Sequence, residues 1–100
     1  LIISATKSEI APLLKKMIDV KDSGGAIIES NYKNHKITFV ISGVGMVATT
    51  YYTTKAISDY YQLAINMGIC GSFNSNLEIG SVINIYEDCF SYFYYSFFNQ

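Results

Sequence analysis

Three stretches constrain this chain more than any others: "SATKSE" at 4–9, "SGVGMV" at 42–47 and "MGICGS" at 67–72. The first two directly follow short apolar runs, "LIIS" and "KITFVIS", and the third closes "LAINMG". Apolar runs of this length, bounded by turn residues, fit buried strands. Small residues and glycines after such strands let a ligand approach the backbone closely. In α/β sheets the binding crevice lies outside the carboxyl ends of the strands. If these three strands are parallel, the three turns open on one rim.

The intervening segments support that arrangement. After "LIIS", Ile10, Leu13, Leu14, Met17 and Ile18 recur at i, i+3, i+4, i+7 and i+8, the apolar face of a helix. Pro12 restricts where this helix begins, because a proline deep inside would remove a backbone bond and clash with the preceding turn. The expected start is Ser8 or Glu9. "KDSGG" at 21–25 reads as a loop, and "AIIESNY" and "KITFVIS" as a hairpin joined by "KNH". A second helix is expected from the "GVG" turn to about Tyr60, with Val47, Tyr51, Thr54 and Ile57 or Ser58 inward. "LAINMGICG" and "SVINIYE" then supply two more strands, the latter with Val82 to Tyr86 inside it. The order β-α-β-β-α-β-β argues for an α/β domain with a largely parallel sheet and one hairpin. No repeat or linker interrupts it, and 100 residues suffice for one domain.

Composition excludes several classes of function. Half the residues are apolar and 15% are charged, as in a folded domain. The net charge is −1 with lysines scattered singly, so no basic surface points to nucleic acid. Arginine, the usual bidentate clamp for phosphate, is absent from the sequence. Cys70 and Cys89 form no CxxC pair and read as buried free thiols in a reducing compartment. There is no signal-peptide pattern and no apolar run of ~18 residues, so the expectation is a cytoplasmic protein that does not enter the membrane. His35 reads as a solvated turn residue, with no second histidine to share a metal, and Glu87 and Asp88 as solvated strand-end residues. No metal or cofactor is expected.

The most informative single residue is Glu9. Thr6 and Glu9, spaced as T-x-x-E before an apolar run, are a helix capping-box signature. A glutamate at the mouth of a helix that follows a strand is equally placed to be a catalytic base, and the two roles are compatible. "GVGMVA", Gly43 to Ala48, formally satisfies GxGxxG/A between strand and helix. A dinucleotide site also wants an acidic residue at the end of the next strand, and "INMGICG" has none.

Taken in order and spacing, "SATKSEIAPLL", "SGVGMVAT", "INMGICGSF" and "LEIGSVINI" resemble the N-terminal half of the nucleoside phosphorylase/nucleosidase superfamily. The resemblance runs from residue 1 to 90. It implies a three-layer αβα fold with a mixed, largely parallel sheet, of which only the N-terminal half is present. The N-ribosyl hydrolase branch is most similar: the futalosine hydrolases of menaquinone biosynthesis, then the methylthioadenosine/adenosylhomocysteine nucleosidases. By that match Glu9 holds the attacking water. Ala5 and Thr6 contact the substrate, Gly43, Val44 and Gly45 line its ribose side, and Cys70 and Gly71 lie at the base pocket. Phosphorylases use an Arg and a Ser at positions that correspond to Asn66 and Ile69, so hydrolysis is implied rather than phosphorolysis. The partner implied is a purine-type nucleoside, acted on by a homodimer.

Two features depart from the family. Ser81 stands where an Asp is usual. Residues 91–100 match no family motif, and seven of the last eleven residues are aromatic. This tail reads as a core strand, a dimer contact or a non-native end. The expectation is a truncated copy, inactive alone because the leaving-group acid and ribose clamp belong to the family's second half. The reading of another class is a non-catalytic nucleoside- or dinucleotide-binding module.

Overall fold

"LIIS" forms the central strand. In the computed structural model, which describes residues 1–88, β1 spans Ile2–Ser4 and is flanked on both sides by parallel neighbours. A strand paired on both edges and covered on both faces is apolar throughout, as this one is up to Ser4. The following elements are α1 (Lys7–Leu14), β2 (Ile18–Asp22), β3 (Ile27–Tyr32), β4 (His35–Ile41), α2 (Met46–Ala56) and β5 (Ile65–Asn66). The sheet order is β2-β3-β4-β1-β5. β1 is parallel to β4 and β5, whereas β2, β3 and β4 form an antiparallel meander. The expected mixed α/β sheet is present.

Strand alternation distributes the core to two faces. Ile10 and Met17 pack with Ile28 and Phe39 on one face, with Ile2, Leu13, Leu14, Ile37 and Ile41 around them. Leu1, Ile3 and Val40 point to the other face, against Ala56 and Tyr61. The α1 residues and the C-terminal end of α2 thus cover opposite sides, which gives three layers. No helix among the described residues is long and apolar enough to cross a membrane.

Several local expectations are corrected. The first helix starts at Lys7 with Thr6 as its N-cap, earlier than Ser8 or Glu9, and ends at Leu14. Met17 is buried as its helical spacing required, but Ile18 lies in β2 and is 56% exposed. Residues 18–22, read as helix end and loop, pair with β3 instead, from Ile18 opposite Asn31 to Asp22 opposite Ile28. Asp19 absorbs the irregularity in that pairing with φ +52°, a conformation Asp tolerates better than most residues. Cross-strand pairing overrides the weak continuation of the helical pattern beyond Pro12. The hairpin turn is Lys33–Asn34, so His35 opens β4 opposite Tyr32.

The second helix ends at Ala56 rather than near Tyr60. Its inward side is Ala48, Thr49, Thr53 and Ala56, while Val47, Tyr51, Thr54, Ile57 and Ser58 are exposed. Small residues let this helix lie close to the sheet, a packing that a search for large apolar side chains misses. By internal contacts the chain divides into two units, Leu1–Cys70 and a second that begins at Gly71. The described part of the second unit has no helix or strand and contains two turns. Asn74 O accepts from Leu77 N–H at 3.1 Å, and Glu78 O from Ser81 N–H at 3.1 Å with Gly80 at φ +91°. Val82 to Tyr86, expected as a strand, form none. The run has strand propensity but no ladder partner among the described residues, and pairing is what makes a strand. Glu87 and Asp88 are exposed. Cys89 and the aromatic tail lie outside the described residues.

Candidate active site

The three turns do converge. Ile3 is level with Val40 and Asn66, so the chain leaves β1, β4 and β5 at one rim. Backbone bonds continue past the strand ends: Ser4 O accepts from Ser42 N–H at 2.9 Å, Ala5 O from Gly43 N–H at 3.0 Å, and Ile3 O from Met67 N–H at 2.9 Å. The buried Ser42 hydroxyl lies 3.0 Å from Gly43 O and 3.3 Å from Ser4 O, both acceptors, and shares a bond with Thr49 Oγ1 at 3.1 Å. These bonds hold the "SGVG" and "SAT" turns side by side. Gly43 and Gly45, at φ +79° and +101°, take left-handed conformations that a side chain would strain, and Gly45 is the N-cap of α2.

Glu9 projects from the first turn of α1 into this rim. Its Oε2 accepts three bonds: from Thr6 N–H at 2.8 Å, Thr6 Oγ1 at 2.9 Å and Ser4 Oγ at 2.9 Å. The Thr6 N–H bond is the glutamate half of the capping box read from sequence. Oε1 accepts from Ile69 N–H at 3.3 Å. Gly68 lies against the same oxygen, where a Cβ would come within 3.0 Å of Oε1. These donors favour the ionised form. They hold the Glu9 carboxyl below its ordinary 4.5, led by the Thr6 amide, then the Thr6 and Ser4 hydroxyls and the Ile69 amide. The adjacent Lys7 is engaged elsewhere, on Asp22, whose carboxyl it lowers with help from Gly24 N–H.

Of the residues expected at the site, Glu9, Ala5, Thr6 and Gly43 meet as described. Val44 (83% exposed) and Gly45 stand at the mouth of α2. Cys70 follows Ile69 and is an exposed free thiol, not the buried one expected. Gly71 opens the second unit, and a methyl group added there would meet no heavy atom within 4 Å. Sequence reasoning missed Ser4, Gly68 and the Ile69 amide. Ser4 reads as the last residue of a strand, and only the β1–β5 register brings residue 68 to Glu9. Among the described residues, no group of three His, Cys, Asp or Glu side chains could hold a metal ion.

A carboxylate held ionised beside glycine turns at the carboxyl ends of parallel strands lies where α/β sheets place their binding crevice. The chain belongs to the phosphorylase superfamily, whose family model matches residues 1–98. It is also similar to the aminodeoxyfutalosine nucleosidase of Campylobacter jejuni, at 30% identity over 86 residues. That match covers 82% of this chain and 38% of the relative, so the chain spans well under half of the curated relative's length.

Proposed function

We propose that this chain carries the water-holding part of a site that hydrolyses the N-ribosidic bond of a purine-type nucleoside, of the aminodeoxyfutalosine kind. The observation that carries the proposal is the anchored Glu9 carboxylate, with three donors on Oε2 and one long bond on Oε1. Cleavage of a ribosidic bond passes through an oxocarbenium-like state. Such a cation needs a nearby negative charge and an aimed water more than it needs a strong base. A carboxylate of lowered pKa serves that role: it is ionised throughout the neutral range and accepts a water proton at Oε1. In this reading Gly43, Val44 and Gly45 lie on the ribose side and Cys70 on the base side.

Water is the proposed nucleophile rather than phosphate, because Asn66 and Ile69 stand at the positions that correspond to the phosphorylases' Arg and Ser. Protonation of the leaving base is worth ~10²–10⁴-fold and belongs, in this reading, to a group outside these 100 residues. The isolated chain therefore turns over far below a full-length nucleosidase. Val44, Met46, Val47 and Tyr51, all exposed, support self-association as a homodimer.

The test is base release from aminodeoxyfutalosine and methylthioadenosine, followed chromatographically with and without inorganic phosphate. The expected result is slow release of free ribose-type product, independent of phosphate and lost in Glu9→Gln. Phosphate-dependent formation of a sugar phosphate, or release indifferent to Glu9→Gln, overturns the proposal. So does release at the rate of a full-length nucleosidase, for the claim of inactivity alone.

A further inference from the structure

We propose that Ser4 and Thr6 are positioning residues whose hydroxyls lock Oε2 of Glu9 and leave Oε1 as its one oxygen with accepting capacity. The functional meaning of the lock rests on the hydrolase reading above; the lock itself does not.

The argument begins from lone pairs. An ionised carboxylate offers about four acceptor sites over two oxygens. Oε2 receives three donors at 2.8–2.9 Å, whereas Oε1 receives a single donor at 3.3 Å. All further accepting capacity is therefore on Oε1. The terminal torsion of a glutamate is otherwise broad, so an unanchored carboxylate would present either oxygen.

The capping box, both of whose bonds are present, explains only part of this arrangement. Capping needs the Thr6 N–H bond to Glu9 and a Thr6 hydroxyl that accepts from the first turn. Beyond that, the Thr6 hydroxyl donates its hydrogen to Oε2 and meets Ser8 Oγ at 2.9 Å, neither of which capping requires. Ser4 lies outside the capping box altogether. Its side chain is within a residue only 1% exposed, and its hydroxyl reaches Oε2 at 2.9 Å and Thr6 O at 3.1 Å. The hydroxyl carries one hydrogen, and the charged acceptor at the shorter distance takes it. The Ser4 carbonyl is fixed in turn by Ser42, so the donor is held on a rigid strand end. Every group described as bonding Glu9 is neutral, from β1, the cap and the segment after β5; these bonds lower its proton affinity, and desolvation opposes them.

The experiment is a carboxyl-carbon NMR titration of Glu9 in the full 100-residue chain and in Ser4→Ala, Thr6→Val, the double variant and Thr6→Ser. The Thr6 variants keep the backbone amide, so the cap bond survives and helix content serves as the folding control. The expected midpoint rises in Ser4→Ala and in Thr6→Val, rises furthest in the double variant, and returns to the parent value in Thr6→Ser. An unchanged midpoint in Thr6→Val with intact helix content overturns the lock, even if Ser4→Ala fails to fold. The titration is then repeated with methylthioadenosine. A perturbed Glu9 signal supports the assignment of Oε1 as the working oxygen. Raised variant midpoints with no nucleoside effect leave the lock standing and overturn the assignment of Oε1 as the oxygen that meets a nucleoside in this chain.

Discussion

Gly68→Ala is the perturbation that most sharply separates stability from site geometry. Gly68 lies outside the left-handed region, so its backbone admits alanine. Alanine at such a position stabilises by about 0.4–1 kcal/mol through the unfolded chain. For a domain of this size that raises Tm by roughly 2–8 °C. Against this gain stands one contact: the new methyl comes within 3.0 Å of Glu9 Oε1 and 3.7 Å of its Cδ. Restoring an ordinary separation moves Oε1 by about 0.4 Å, which takes the 3.3 Å bond from Ile69 beyond hydrogen-bonding range. Oε2 is tethered three times and resists the shift, so the loss falls on the Ile69 side. If a misplacement of about 1 Å costs ~10²-fold in rate, this one costs about tenfold. The assay pairs thermal unfolding with the amide spectrum of an isotopically labelled chain. The expected result is an unchanged or raised Tm together with a displaced Ile69 amide resonance and an altered Glu9 carboxyl. A Tm lowered by many degrees, or an unmoved Ile69 resonance, refutes the reasoning.

Three other outcomes are expected. Ile10→Ala removes a fully buried side chain from the larger core cluster and should lower the unfolding free energy by about 2–5 kcal/mol in urea titration. A loss under about 1 kcal/mol contradicts the assigned packing. The lowered carboxyls of Glu9 and Asp22 contribute stability that is present above their ordinary values of 4.5 and 3.8 and lost as pH falls through the lowered folded values. The urea midpoint should therefore fall on acidification below about pH 4.5, and less steeply in Glu9→Gln and Asp22→Asn; identical slopes count against the bonds described. Cys70 is exposed, so it should react with a thiol reagent in the folded chain, and Cys70→Ser should change stability by less than about 0.5 kcal/mol.

Local chemistry was legible in the sequence where local chemistry decides structure. The T-x-x-E spacing announced the cap at Thr6 and Glu9, and the spacing of Ile10, Leu13, Leu14 and Met17 announced the buried face beneath it. The parallel rim followed from three runs that end in small residues. Features decided by distant partners were not legible. Ile18 continues a helical pattern on paper, yet β3 captures it as a strand. The second helix turns Ala48, Thr49, Thr53 and Ala56 inward and leaves Val47 and Tyr51 exposed, because closeness of approach outweighs side-chain size there. In "MGICG", five residues with two glycines, only the register with β1 distinguishes Gly68, which Glu9 requires, from Gly71.

The Ile69-to-Glu9 bond joins residues 60 apart in the chain. Everything else that holds the carboxylate lies within five residues of it. Glu9 can thus find its Ser4 and Thr6 donors as soon as α1 forms, on the timescale of local structure. The Gly68–Ile69 wall arrives only after a long loop closes and the two-residue β5 docks on β1. The site thus combines a locally held charge with a wall brought from sixty residues away. Hydrogen exchange at the Met67 and Ile69 amides, compared with Thr6, would time the second step and report how often the finished chain reopens it.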